Sequence, residues 1–193
     1  MSGRPPKFDS DFVIEAAMKA FWDEGFEATS TQVLCDKTGM GRGSLYHCFG
    51  SKSHLYEQAL CRYHELGIKE QARILLAPDT AKNRLQALLE WGIDCDTNQE
   101  SRRCCMAIYS AIERSGKDTR IDKINRRYLD KLESLLLTVI KQGMTNNEFK
   151  SDRSALEVTR GFIASYYGLR ILGAFNPNKE FLSTVLYSTI ESI

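Results

Sequence analysis

Apolar residues recur at spacings of three and four along most of the chain, with polar residues between them. This spacing is typical of amphipathic helices, and no alternating pattern of the kind that predicts β-strands is present. Glycine, proline and capping residues divide the pattern into about nine segments. The sequence therefore predicts an all-α fold of about nine helices.

The N-terminal part contains four of these predicted helices. The first covers about 10–24, and the second is capped within 29–31 and ends at 38. The third covers 42–48 and the fourth about 52–76. Gly25 is expected to end the first helix, and Gly39 and Gly41 lie in a tight turn between the second and third. Two short helices joined by a glycine-containing turn make a helix-turn-helix unit.

A second set of helices is predicted after Pro78, since proline breaks a helix. The pattern places them over about 80–96, 101–114, 118–143, 154–174 and 179–192. We therefore expect two domains: a helix-turn-helix domain over 1–52, with a basic N-terminal tail, and a helical domain over 53–193, to which the fourth helix connects.

Composition narrows the classes of protein that need to be considered. Hydrophobic residues make up 42% of the 193 positions and charged residues 26%, which is normal for a protein with a buried core. No apolar run approaches the roughly 20 residues needed to cross a bilayer. The first residues also lack the apolar segment of a secretory signal. We expect a cytoplasmic protein with no membrane partner.

Bulk charge does not by itself indicate DNA binding. The net charge is +1, and residues 1–52 contain six cations and seven anions. The acidic residues concentrate in the first helix, whereas Arg4, Lys7, Arg42 and Lys52 lie elsewhere. An argument for DNA binding therefore rests on the placement of these cations.

One N-terminal segment carries a recognisable motif. It contains Gly25-Phe26-Glu27-Ala28-Thr29-Ser30, then Thr38-Gly39-Met40-Gly41-Arg42-Gly43-Ser44-Leu45-Tyr46-His47-Cys48-Phe49, then Ser51-Lys52. Over about 50 residues the segment resembles the DNA-binding region of the TetR family of transcriptional regulators. The resemblance implies a helical ligand-binding and dimerisation domain downstream. It also implies a homodimeric repressor that an unknown small-molecule inducer releases from a palindromic double-stranded DNA operator.

The third predicted helix has an inner and an outer face. Leu45 and Phe49 are expected to pack inward against Phe21 and Phe26, which leaves the other face for a major groove. Hydroxyls and amides at the start of the second helix can bind a phosphate. Gly43 lets the backbone approach the duplex. With the phosphate contacts that the resemblance assigns to Tyr46 and Lys52, the predicted DNA-binding residues are Thr29, Ser30, Thr31, Gln32, Arg42, Gly43, Ser44, Tyr46, His47 and Lys52.

The family resemblance places a ligand pocket within the fifth to eighth helices. The candidate lining residues are Trp91, Cys95, Ile108, Tyr109, Phe162, Tyr166, Tyr167 and Arg170. Arg170 is the candidate anchor for an anion. The alternative for each is an ordinary core position, because aromatic stripes usually indicate packing.

The last two helices are the predicted dimer surface. Gly161, Ser165 and Gly168 form a stripe of small residues where another helix can approach closely. On the final helix, Leu182, Leu186 and Ile190 repeat every four residues. Two such helices from each subunit can form a four-helix interface, although contacts within one chain would produce the same pattern.

In the segment of this chain that begins at Arg103, Cys105 matches a cysteine that occurs in a subgroup of the TetR family. A helix N-terminus favours a thiolate, and Arg102 and Arg103 would add to this effect. One hypothesis is therefore that Cys105 senses oxidants or electrophiles, and Cys104 is a neighbouring candidate. The alternative is an inert buried thiol.

Two other classes of protein, an enzyme and a helical adaptor, fit the sequence less well. An enzyme needs a nucleophile with a base, paired carboxylates or a metal site, and Cys61 with His64 supplies only two metal ligands. We expect no enzyme activity, no metal and no cofactor. A helical adaptor that binds only proteins would not explain the Gly-Ser-Leu-Tyr-His cluster or the basic tail.

Overall fold

The structure is a computed structural model, and it describes residues 9–97, 105–149 and 151–193. Within these ranges the chain forms nine α-helices and no strand, which confirms the predicted fold class. The helices are α1 (Ser10–Ala28), α2 (Thr31–Thr38), α3 (Arg42–Phe49), α4 (Lys52–Leu75), α5 (Ala81–Thr97), α6 (Met106–Arg114), α7 (Thr119–Thr145), α8 (Ala155–Phe175) and α9 (Lys179–Glu191). Arg4, Lys7, Arg102, Arg103 and Cys104, which entered the predictions above, lie outside the described residues.

Side-chain caps determine where several helices begin. The carboxylate of Asp9 accepts a hydrogen bond from the Asp11 amide, so Asp9 is the cap of α1. Ser51 caps α4 by accepting from the His54 amide. A side-chain acceptor at this position stabilises a helix by about 1 kcal/mol because it satisfies an otherwise unpaired amide.

Gly25 interrupts the first helix at the place where the sequence predicts its end. It has φ 78° and ψ 174°, outside the helical region, so the regular part of α1 ends there as expected, and a separate helical turn then runs to Ala28. A backbone conformation of this kind is nearly restricted to glycine, because a Cβ atom would be strained there.

The N-terminal helices share one core. The inner residues of α3, Leu45 and Phe49, are buried with Phe21 and Phe26 of α1, as predicted. Residues from the first half of α4 belong to the same cluster, together with Met106 of α6 and Ile121 of α7. The helix-turn-helix unit is thus packed on the helices that follow it.

A second core joins the C-terminal helices. It contains apolar residues of α4, α5, α7, α8 and α9. Arg84 of α5 is buried at its edge, where the guanidinium donates to the carbonyl of Leu75 and to the side chain of Gln142. These bonds tie the end of α4 to α5 and α7.

None of the helices in the described ranges is both long enough and apolar enough to cross a membrane.

Replacing Gly25 with alanine tests the role of the interrupted helix. The new Cβ atom would have an unfavourable φ and would lie 2.5 Å from Oε1 of Glu113. We expect Gly25→Ala to lower the free energy of unfolding by about 2 kcal/mol or more, measured by urea denaturation. Gly116→Ala is the matched control, because Gly116 has φ 73° with no atom near its Cβ position. Equal losses in the two variants would contradict a specific packing role for Gly25.

Candidate DNA-binding surface and ligand core

The turn between α2 and α3 orients the two short helices. Ser30 caps α2 through a hydrogen bond from the Val33 amide, 3.2 Å long. Gly39 ends α2 with a left-handed φ of 70°, and Gly41 precedes α3 in an extended conformation. The glycines predicted from the sequence therefore make the turn of a helix-turn-helix unit.

The outer face of this unit is open to solvent. Most of the residues predicted to bind DNA have exposed side chains or backbone: Ser30, Gln32, Arg42, Gly43, Ser44 and His47. Thr31, Tyr46 and Lys52 are half-buried at the edge of the same face. The side chain of Gln32 donates to Asp36 one turn later, at 2.8 Å. The structure thus brings nine of the ten predicted residues to one surface.

A hydroxyl pair connects the two short helices across this surface. Oγ1 of Thr31 and the phenol oxygen of Tyr46 lie 2.6 Å apart. The guanidinium of Arg42 lies 5.9 Å from the centre of the Tyr46 ring. These contacts hold the Tyr46 ring of α3 against the start of α2, with Arg42 beside it.

Lys52 extends the surface to the start of α4. Its Nζ atom lies 4.5 Å from the centre of the Phe26 ring and 3.5 Å from the carbonyl oxygen of Glu27. The ammonium therefore sits beside the interrupted end of α1. A cation here, next to a helix N-terminus, favours the approach of a phosphate.

Thr29 does not belong to this surface, which corrects the prediction for its side chain. It is 0% exposed, and its hydroxyl donates to the carbonyl oxygen of Gly25. The Thr29 side chain is therefore engaged four residues back within its own segment and does not face the DNA-binding surface.

The residues predicted to line a ligand pocket fall into two adjoining clusters. Phe162 and Tyr166 are buried in the C-terminal core with Trp91 packed beside them. Ile108 and Tyr109 group with Cys105. Tyr167 contacts both clusters, and Cys95 is half-buried on α5.

Arg170 is not a free anchor for an anion, which corrects that expectation. Its guanidinium forms two hydrogen bonds with Asp96, of 2.6 and 2.9 Å, and the side chains of both residues are almost fully buried. A third bond of 3.2 Å runs to the Tyr166 hydroxyl. Burial raises the pKa of the Asp96 carboxyl, and the guanidinium opposes this rise.

The structure adds a polar group that sequence reasoning missed. The side chain of Gln71 donates to the hydroxyls of Tyr128 and Tyr166, at 2.8 and 3.4 Å. All three side chains are buried. In the sequence these residues showed only helical spacing. This spacing does not show whether a tyrosine is simply packed in the core or also hydrogen-bonded through its hydroxyl.

Cys105 lies at the edge of this group and is the N-cap residue of α6. The predicted start of that helix, at residue 101, falls in a segment outside the described residues. The Tyr63 hydroxyl donates to Sγ of Cys105 at 3.4 Å. Burial, followed by the influence of Cys105, raises the pKa of Tyr63 well above its ordinary value.

The other end of α6 contacts the helix-turn-helix unit. Oε2 of Glu113 accepts a hydrogen bond of 2.7 Å from the Phe26 amide, which the interruption of α1 leaves unpaired. The Arg114 guanidinium lies 4.1 Å from the centre of the Phe26 ring and also contacts Glu27. The C-terminal end of α6, the helix capped by Cys105, therefore lies against the helix-turn-helix unit.

Comparison with known proteins agrees with this geometry. The family model for bacterial regulatory proteins of the tetR family matches residues 13–59. The HTH-type transcriptional regulator YezE of Bacillus subtilis is 32% identical over 80% of this chain and 81% of its own length. This chain belongs to the TetR family. It is a DNA-binding transcriptional regulator.

Other relatives of this TetR-family chain are known repressors or have solved structures. The repressor ComR of Escherichia coli is 32% identical over 55% of this chain and 51% of its own length. A cysteine mutant of the TetR-family regulator CifR, solved with 26-base-pair operator DNA, superposes with a TM-score of 0.84. That structure is 22% identical and covers 97% of this chain and 98% of its own, so it shows the shared fold.

A cation on the exposed face of α3 offers a direct test of DNA contact. Removing one phosphate contact lowers the slope of log affinity against log salt by about one. We expect Arg42→Gln to weaken binding to duplex DNA at low salt and to reduce this slope, measured by fluorescence anisotropy between about 50 and 200 mM salt. Lys141→Gln, which removes the same charge from an exposed position on α7, is expected to change neither. Parallel curves for both variants would exclude Arg42 as a phosphate contact.

Proposed function

We propose that this regulator is a homodimeric repressor that a small molecule releases from a palindromic operator. The observation that carries the proposal is the exposed outer face of α2 and α3, with Arg42, Ser44, Tyr46 and His47 on one side and Leu45 and Phe49 buried behind them. Such a face fits a major groove, and a twofold pair of such faces reads a palindrome.

The dimer surface proposed for this function is formed by α8 and α9. Nothing lies within 4 Å of the Cβ positions of Gly161 and Gly168, so another helix has room to approach there. Large apolar side chains are exposed nearby, Phe175 at 80% and Tyr187 at 54%. Apolar groups of this size favour burial against a second copy. Leu182, Leu186 and Ile190, in contrast, face the core of their own chain.

In the proposed function, residues 1–52 bind DNA, and residues 53–193 bind the ligand and form the dimer. The two parts are connected by α4, which contributes to both cores, and by Glu113 at the end of α6. A ligand that moves either helix would change the spacing of two DNA-binding units in a dimer. Trp91, Phe162, Tyr166 and Tyr167 are the candidate ligand contacts in this proposal, because all four pack in or against the C-terminal core.

Selection from a random duplex pool tests the proposal. We expect the wild-type protein to enrich a palindrome, and Tyr46→Ala to lose this enrichment, since it removes both the ring and the hydroxyl bonded to Thr31. Tyr187→Ala, an exposed tyrosine on α9, controls for general effects of losing a ring. Failure of the wild-type protein to enrich any sequence at low salt would refute the proposed operator.

Introducing a charge at the proposed interface tests dimerisation separately from DNA contact. Gly168→Arg would place a long cation in the open space on α8. We expect this variant to sediment as a monomer and to lose the palindrome while it retains weak nonspecific DNA binding. If the Gly168→Arg protein remained dimeric and selected the same operator as the wild type, the dimer interface would have to lie elsewhere.

A second candidate function is regulation through Cys105. The specific observation is its position at the start of α6, whose other end contacts Phe26 through Glu113. Modification of the thiol would break the Tyr63 contact and force this buried residue to move. The movement of α6 would then reach the DNA-binding unit.

Alkylation distinguishes a sensing cysteine from an inert one. Iodoacetamide forms a carbon–sulfur bond and releases iodide, which adds bulk where Cys105 is buried. We expect treatment to lower operator affinity at least tenfold in a Cys48→Ser protein, chosen because Cys48 is exposed on α3. Adding Cys105→Ser is expected to abolish the effect, whereas adding Cys104→Ser is not. Unchanged affinity after complete alkylation of Cys105 would end this hypothesis.

A further inference from the structure

The ring of Phe26, near the end of α1, lies beside two cations from different parts of the chain. The Nζ atom of Lys52 is 4.5 Å from the ring centre, and Cζ of the Arg114 guanidinium is 4.1 Å from it. The ring is buried and makes an edge contact with Tyr56. Because a cation is attracted to the face of an aromatic ring, Phe26 brings the last residue of α6 close to the first residue of α4.

Glu27, the next residue, contacts both cations through different atoms. Its carboxylate oxygen Oε1 lies 3.4 Å from a terminal nitrogen of Arg114. Its backbone carbonyl oxygen accepts a hydrogen bond from Nζ of Lys52, at 3.5 Å. The carboxylate of Glu27 is therefore directed to Arg114, although the Lys52 ammonium is bonded to the same residue.

Lys52 consequently has no carboxylate partner. It forms no ion pair with a residue in the described ranges, and it is half-buried at the edge of the DNA-binding surface. A lysine ammonium is a point charge on a flexible stem, so it can turn to an anion within reach. The carboxylate of Glu27 would compete with a DNA phosphate for this ammonium if Arg114 did not hold it.

Arg114 is fixed by a second carboxylate. Its other terminal nitrogen lies 3.0 Å from Asp118, and the side chains of Arg114 and Asp118 are only 16% and 18% exposed. Asp118 also caps α7 by accepting a hydrogen bond from the Arg120 amide. Partly buried charges are screened less by salt than exposed ones. The guanidinium is thus a fixed partner for Glu27, whose side chain is 64% exposed.

From these contacts, we propose that Arg114 is a positioning residue for DNA binding. It holds the carboxylate of Glu27 away from Lys52 and so leaves the Lys52 ammonium available to a phosphate. This inference rests on the phosphate contact of Lys52 in the proposed function. It assigns to the helical domain over 53–193 a residue that acts on DNA affinity through Glu27 and Lys52.

Binding to a fluorescein-labelled duplex of random sequence, measured by anisotropy between about 50 and 200 mM salt, tests this role. In Arg114→Gln the carboxylate of Glu27 is released and pairs with Lys52. We expect this variant to bind DNA about threefold or more weakly, since one phosphate contact is lost. The slope of log affinity against log salt should fall by up to about one, toward its value in Lys52→Gln.

A double-mutant cycle with Glu27 identifies the path of the effect. Adding Arg114→Gln to a Glu27→Gln protein should change the affinity and the salt slope little, because no carboxylate remains to compete for Lys52. A simple loss of positive charge would instead weaken binding equally in both backgrounds. A purely structural role of Arg114 would also persist in the absence of the Glu27 carboxylate.

The matched control is another arginine–glutamate pair that lies far from the DNA-binding surface. Arg73 and Glu70 pair at 2.6 Å near the end of α4. A rise of 1.5 Å per residue places Arg73 about 30 Å along the helix from Lys52, beyond the screening distance of about 10 Å at 0.1 M salt. We expect Arg73→Gln, Glu70→Gln and the double variant to bind DNA as the wild type does.

Circular dichroism and urea denaturation establish whether each variant is folded. If Arg114→Gln does not fold, Arg114→Met takes its place, because its apolar side chain can pack on the Phe26 ring but carries no charge. The inference is overturned if the uncharged Arg114 variant binds DNA as the wild type does. It is also overturned if the loss of affinity is the same with and without the Glu27 carboxylate.

Lys52→Gln separates this inference from the proposed function. An unchanged salt slope in Lys52→Gln would refute the phosphate contact on which the inference rests. A reduced slope in Lys52→Gln, together with wild-type binding by the Arg114 variant, would refute the role of Arg114 alone.

Discussion

The shared burial of α4 is the constraint on which the rest of the molecule depends. Its first half lies under the helix-turn-helix unit with Leu55 and Leu60, and its last turn lies in the C-terminal core with Leu75. Interiors are packed densely, so neither end can move without displacing its neighbours. In the proposed function, α4 is therefore the element through which a change in the C-terminal helices would reach the DNA-binding surface.

The second link between the two cores is polar. Gly25 interrupts α1 and leaves the Phe26 amide unpaired, and Glu113 of α6 accepts its hydrogen bond. Removing an acceptor from a buried amide costs about 1–3 kcal/mol, so the end of α6 and the interrupted helix remain together. Cys105 is the N-cap residue of the same helix, whose other end contacts the recognition unit through Glu113.

Local features of the sequence account for most of the predictions that the structure confirmed. The helix-turn-helix unit was found because its glycines, caps and inner residues Leu45 and Phe49 lie within one continuous segment. The candidate sites were predicted less completely. Thr29 is adjacent to good phosphate ligands in the chain, but its hydroxyl is buried and donates to the carbonyl oxygen of Gly25. The sequence showed His64 only beside Cys61 as two candidate metal ligands, and could not show its contacts with Asn125 and Tyr128, which lie on another helix more than 50 residues away.

The sequence by itself determined the all-helical class, the approximate bounds of the helices and the family of regulators, because periodicity, capping and a contiguous motif are local properties. Tertiary structure decided which polar groups have partners. Arg170 meets Asp96 across 74 residues, and Glu113 meets Phe26 across 87. Nothing in the spacing of residues records such pairings, since they depend on how the helices pack. For the same reason, only the packed structure shows that Arg170 is paired with Asp96 and is not free to bind an anion.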